Sequence, residues 1–137
     1  MIGLHHVQVA CPPGGEDGAR RFYGAGLGLT EVEKPAALRG RGGVWFRAYD
    51  ELGAVGAEVH VGVEDPFVPA RKAHPAFVVD DLDAVAGSLR DAGFDVDEGE
   101  RGTFEGYLRC HTHDAAGNRV EVLQPLPGDR PGEAPGE

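Results

Sequence analysis

Apolar residues recur at every second position along several short stretches of this chain, and at helical spacing along two others. Val7 and Val9 alternate with His6 and Gln8. Val59, Val61 and Val63 alternate with Glu58, His60 and Glu64, and Val120 and Val122 with Arg119, Glu121 and Leu123. A period of two puts successive side chains on opposite faces of a strand. Strands are therefore predicted over 4–11, 29–33, 44–49 and 54–64, and again over 74–80, 94–98, 107–113 and 119–124. Ala19, Phe22, Tyr23 and Leu27 form the buried side of a predicted helix over 16–27. Leu82, Val85, Ala86 and Leu89 follow the i, i+3, i+4, i+7 pattern of a second helix, with Asp80 or Asp81 as its N-cap. Gly93 fits the left-handed position after that helix.

Breakers divide these elements. Pro12-Pro13-Gly14-Gly15, Gly40-Arg41-Gly42-Gly43, a turn near 50–53 and Asp114-Ala115-Ala116-Gly117-Asn118 read as turns or loops, and 35–39 as one helical turn. Pro66 and Pro69 mark a linker. Gly24-Ala25-Gly26-Leu27-Gly28 follows a helix instead of opening one after a strand, so it is no dinucleotide fingerprint. Each half then reads β-α-β-β-β, a structural repeat. The expected fold is α+β: two βαβββ modules whose curved sheets enclose a cup. A single domain over 1–125 holds repeats 1–65 and 72–125, with 126–137 as a flexible acidic tail.

Strand parity sorts the candidate chemistry. The apolar sets must bury against the helices, which leaves His6 and Gln8, His60 with Glu58, His74, and Glu121 on the other faces. The same test leaves Trp45, Arg47 and Tyr49 there from one strand, and Tyr107, Arg109 and His111 from another. His6, His60, His74 and Glu121, on four separate strands, make a candidate divalent-metal site. The matching positions of His6 and His74 in the two halves strengthen that reading. Gln8, Trp45, Arg47, Tyr107, Arg109 and His111 are candidate substrate-binding residues around it. Arg47 and Arg109 reach the rim or bind a substrate anion. His5 is expected at the packed or edge side, and His113 in solvent.

Composition narrows the partners. Apolar residues are 41% and charged residues 26%, as in an ordinary globular domain. The net charge of −10 argues against nucleic acid and anionic membranes, which need a basic footprint. The expected partner is a small molecule, with an anionic one as an option. Two cysteines, Cys11 and Cys110, without a C-x-x-C pattern read as reduced strand residues, so a cytoplasmic setting is expected. No run approaches the roughly 18 apolar residues of a membrane span, and no signal peptide is expected.

Three segments and the closing turn carry a family resemblance. Leu4-His5-His6-Val7-Gln8-Val9, Ala19-Arg20-Arg21-Phe22-Tyr23, Phe77-Val78-Val79-Asp80-Asp81-Leu82-Asp83 and Asp114 to Glu121 resemble bacterial glyoxalase-like members of the vicinal oxygen chelate superfamily. The resemblance runs from about Met1 to Pro125. It implies that His6, His60, His74 and Glu121 match the metal-ligand positions, for Zn, Ni, Fe, Mn or Co. It also implies a substrate chelated through vicinal oxygens, with Glu121 as base in a lyase or isomerase reaction. His60 departs from the glutamate that glyoxalase I members usually carry, and Glu58 lies two residues away on the same face. His6, His74 and Glu121 also match the two-His-one-carboxylate set of extradiol dioxygenases and fosfomycin-resistance thiol transferases. Bleomycin-resistance proteins, which bind drugs without catalysis, are the remaining alternative. The modules pair within one chain or across a two-fold axis, and a homodimer is the expected assembly.

Overall fold

The alternating segments pair into two four-stranded sheets of the same order. In the first, β1 (Val7–Cys11) runs parallel to β4 (Val55–Val63); β4 pairs antiparallel with β3 (Val44–Tyr49), and β3 with β2 (Thr30–Val32). In the second, β5 (Ala76–Val78) runs parallel to β8 (Arg119–Pro125); β8 pairs antiparallel with β7 (Tyr107–His113), and β7 with β6 (Val96–Asp97). This computed structural model describes residues 1–128, and the predicted tail falls largely outside the described residues. Valine and aromatic side chains supply most inward positions, as a pleated, half-buried surface favours.

One helix covers each sheet. The first begins as α1 (Glu16–Ala19) and continues as a π-helix (Arg20–Gly26). The Leu27 N–H donates to the Phe22 carbonyl at 2.9 Å, one residue further back than in an α-helix. Phe22, Tyr23 and Gly26 all face inward along it. The second helix, α2 (Leu82–Asp91), has Asp81 as its N-cap, accepting from the Ala84 N–H at 3.0 Å. Gln124 of β8 accepts from the Leu82 N–H at 2.8 Å, which ties the start of α2 to its own sheet. Gly93 takes φ +96° after it.

The two modules join through these helices. A Cβ on Gly26 would stand 2.7 Å from Leu89 Cδ2, so only glycine allows this approach of the π-helix to α2. Ser88 Oγ donates to the Ala25 carbonyl at 3.1 Å, and Phe22 meets Phe94 edge-on with centroids 5.0 Å apart. Phe22, Tyr23, Phe46, Val59 and Val61 of the first module share one core with Leu82, Leu89, Cys110, Val120 and Val122 of the second. Full burial of each large aliphatic side chain contributes roughly 1.5–3 kcal/mol. Burial also raises the Cys110 thiol to about 11, and both cysteines are free.

The expected sheet cup is not formed. Each sheet is open, neither closed nor strongly curled, and no strand pairing joins one to the other. The physical reason lies in the contacts just described: the helices pack on each other and hold the modules together. Strand ends differ as well. Parallel pairing begins at Val7↔Val59 and at Ala76↔Glu121, so His6 and His74 lie just before β1 and β5 instead of within them.

A polar knot bridges the modules beneath β1. The buried Asp114 carboxylate accepts from the Tyr23 hydroxyl at 2.7 Å, the Asn118 amide at 3.0 Å, and the Ala116 and Asn118 backbone N–H groups. Asn118 also donates to the Ala10 carbonyl of β1 at 2.7 Å. Burial foremost, then the adjacent Asp114 charge, pushes the Tyr23 hydroxyl up, so it stays a donor. Truncating Asp114 leaves several buried donors without a partner. Asp114→Ala is expected to lower unfolding free energy by about 3 kcal/mol or more, and Tyr23→Phe by about 1 kcal/mol, in urea melts.

Candidate functional site

The first module's helix-free face carries a stack of three rings. His60 of β4 lies between Trp45 of β3 and His6: its ring is 3.6 Å from Trp45 at an interplanar angle of 1°, and 4.0 Å from His6 at 18°. The strand register places them side by side, with Trp45↔His60 and Gln8↔His60 as neighbours. Glu58, two residues along the same face, accepts from His60 Nε2 at 2.9 Å and from Arg47 Nε at 3.1 Å. The hydrogen bond from His60 foremost, with Arg47 assisting against the cost of burial, holds the Glu58 carboxyl below its usual range. Burial pushes His60 down, opposed by Glu58, so the imidazole is neutral at pH 7. An ionised carboxylate only accepts, so Nε2 carries the proton and Nδ1 the lone pair. His5 and His6 share a contact between their Nδ1 atoms at 2.9 Å, and both are exposed.

The second module carries an ion cluster in the equivalent place. Glu121 Oε1 of β8 accepts from Arg109 at 2.6 Å and lies 3.2 Å from His111 Nε2, both on β7. Arg109 also meets Thr103 Oγ1 at 2.7 Å and Glu100 at 3.5 Å. Burial pushes His111 down, against the pull of Glu121. His74 donates from Nδ1 to the Lys72 carbonyl at 2.8 Å. In the neutral form of the ring this bond leaves the lone pair on Nε2, which faces Glu121 Oε2 at 3.8 Å.

The four candidate metal ligands thus fall into two pairs, His6 with His60 and His74 with Glu121. Among the described residues, no group of three or more His, Cys, Asp or Glu side chains is arranged to hold a metal ion. The second pair fits one in its chemistry. A histidine fixed by a backbone carbonyl at its far nitrogen is the usual ligand tautomer, and bonds of about 2.0–2.2 Å span the gap to Oε2. The first pair does not fit as it stands, because the His6 and His60 rings are stacked nearly parallel and their in-plane lone pairs do not converge on one point.

The remaining predicted residues divide similarly. Gln8 lies beside His60 and Gly62, in a cleft that Trp45 also lines. Arg47 and Arg109 each neutralise a buried carboxylate. Tyr107 packs on Phe104 at 5.1 Å between centroids, at the far end of β7. Sequence reasoning weighed Glu58 as a substitute ligand and missed it as the partner of His60; their shared face two residues apart was the signal. Leu38 and Arg41 of the 3₁₀ segment (Ala36–Arg41) and Lys34 just before it line the same cleft and carried no periodic signal.

Comparison with known proteins matches this geometry to a family. Residues 3–122 match the family model of the Glyoxalase/Bleomycin resistance protein/Dioxygenase superfamily, and the chain belongs to it. A protein from Bacillus anthracis, described as being of the glyoxalase family, has a solved structure 38% identical in sequence. It aligns over 92% of this chain and 97% of its own, with a TM-score of 0.80. TnmS3, an antibiotic binding protein from Streptomyces, shares the fold at 21% identity, with coverage of 92% and 99% and a TM-score of 0.64. A mutant of the fosfomycin resistance protein FosX from Listeria monocytogenes, complexed with Mn(II) and a dihydroxypropylphosphonic acid, shares it at 16% identity. Its coverage is 95% of each chain and its TM-score 0.67. A comparison with curated proteins finds no match. Among the described residues, no helix is long and apolar enough to cross a membrane.

Glu121 and Arg109 are both shielded, with side chains 6% and 20% exposed, so each is costly to leave alone. A double-mutant cycle with Arg109→Ala and Glu121→Gln is expected to give a coupling of about 2 kcal/mol in urea unfolding. Independent effects of the two substitutions would contradict the pairing.

Proposed function

We propose that this chain is a small-molecule-binding member of its superfamily, which holds a drug or metabolite on its helix-free sheet faces without catalysis. The observation that supports this reading is that the charged groups of both faces are already satisfied by one another. Glu58 is held by His60 and Arg47, and Glu121 by Arg109 and His111. Such a face is ordered before a ligand arrives, which reduces what binding must spend on ordering side chains. The likeness to an antibiotic binding protein is in keeping with it. Gln8, Trp45 and His60 are the proposed contacts in the first module, and Tyr107, Arg109 and His111 those in the second.

A second reading rests on the unspent lone pair of His74 Nε2 beside Glu121 Oε2. In it, His74 and Glu121 of one subunit meet His6 and His60 of another across a homodimer two-fold, around Zn, Ni, Fe, Mn or Co. The metal would act as a Lewis acid toward a substrate with vicinal oxygens. His74 would hold its position through the Lys72 carbonyl, and Glu121 would serve as the base. Lyase or isomerase, extradiol dioxygenase and thiol transferase reactions all belong to this reading. The His6 ring would first have to leave its stack on His60, and Glu121 to loosen from Arg109.

Metal analysis of the purified protein and calorimetry with aromatic carboxylates, catechols and thiol adducts of 2-oxoaldehydes decide between the two. The binding reading expects affinities that agree within about twofold before and after chelator treatment, and no loss in His74→Ala. A ligand bound only by metal-loaded protein, and lost in His74→Ala, would favour the enzyme. Sedimentation checks the proposed dimer in the same sample.

A further inference from the structure

The cleft on the first module is lined without any acid, in a chain whose net charge is −10. It holds about 260 Å³ between the 3₁₀ segment and the β1–β4–β3 face. Gln8, Trp45, His60, Val61 and Gly62 line it from the strands, and Lys34, Leu38 and the exposed Arg41 from the segment that forms its rim. Arg20, Arg39, Arg47, Arg90, Arg101 and Arg109 each hold a carboxylate in an ion pair. Arg41 holds none among the described residues. Glu58 is neutralised by Arg47 and Glu33 is paired with Arg39; the Glu16 carboxylate comes within 4.0 Å of where a Cβ on Gly42 would stand.

The rim is built into the fold. Lys34 donates to the Gly42 carbonyl and Arg39 to the Lys34 carbonyl, which closes the segment into a loop. Gly43, at φ +84°, lies so close to β4 that a Cβ there would fall 2.2 Å from the Val61 carbonyl oxygen. That approach seats Arg41 over the sheet face. The Gln8 amide lies across Gly62, where a Cβ would meet its Nε2 at 2.6 Å. His60 is locked by Glu58, with its two ring faces covered by Trp45 and His6.

We propose that this cleft binds a small anion with a planar apolar body, its carboxylate or phosphate head held by Arg41 with Gln8 beside it and its body against Trp45 and Leu38. The proposal deepens the small-molecule-binding reading by naming a ligand class, and it rests on that reading. A guanidinium presents paired donors that match the oxygens of either head group. The volume suffices, since a cavity of about 150 Å³ holds benzene.

Trp45 is the single tryptophan, so its indole N–H gives one resonance in a ¹H–¹⁵N spectrum of the full chain. Benzoate, phenyl phosphate and neutral benzamide are titrated against that resonance. Benzoate or phenyl phosphate is expected to shift it saturably, at least tenfold more tightly than benzamide, and the tighter of the two identifies the head group. Arg41→Ala, at an exposed residue without an ion pair, is expected to weaken the anion about tenfold and leave benzamide unchanged. Equal affinity for benzamide, or an anion affinity untouched by Arg41→Ala, would overturn the proposal. If those anions still bind by calorimetry while the indole signal stays fixed, the cleft is wrong and the binding reading stands. If none of the three probes gives heat or shift, the proposal fails, and the calorimetric panel described above judges the wider reading separately.

Discussion

A carboxylate withdrawn from water needs a partner, and three such groups shape this molecule. Asp114, Glu58 and Glu121 are 7%, 6% and 5% exposed. An unpaired buried charge costs several kcal/mol, so each must be met by donors or cations from the chain itself. Asp114 is met by backbone amides, Asn118 and Tyr23, and this ties the final turn of the second module to the helix of the first. Glu58 is met by His60 and Arg47. Glu121 is met by Arg109 and His111. The orientations of His60, Arg47, Arg109 and His111 on the two helix-free faces follow from those pairings.

The repeat makes the two solutions comparable. His6 and His74 precede the parallel edge strand of each module, and His60 and Glu121 lie on the strand that pairs with it. In the first module this plan yields an aromatic stack of His6, His60 and Trp45 with a carboxylate behind it. In the second it yields a carboxylate in front, with Arg109 and His111 behind it. The first face is therefore a platform beside a basic rim, and the second keeps one nitrogen lone pair and one carboxylate oxygen facing each other. One fold supports binding or chemistry according to which of these a ligand engages.

Much of the fold was legible because period-two patterning states which face of a strand is buried, and Val59, Val61, Val120 and Val122 are all in the core. Alternation does not say where a strand's partner begins, so residues 4–6 and 74–75 read as strand although pairing starts later. It also carries nothing about curl or closure. The cup failed because Gly26 against Leu89 and Phe22 against Phe94 join the modules through their helices. The π-helical turns were hidden because Phe22, Tyr23 and Gly26 satisfy an ordinary helical stripe nearly as well. At the site, parity put His60 and Glu58 on one face and could not show that they hydrogen-bond to each other. Arg41 was invisible for another reason: a glycine-rich loop has no period, and its position depends on Gly43 pressing against β4.

The central claim is that the charged groups of these faces are neutralised within the chain, in protein that carries no metal. The titration of the Glu58 carboxyl carbon, followed by ¹³C NMR in chelator-treated protein, tests it most directly. The account predicts that Glu58 ionises below the usual glutamate range, because His60 and Arg47 favour its charged form. A Glu58 that titrates at or above that range in metal-free protein would show that the pairing with His60 is not formed, and would contradict the account.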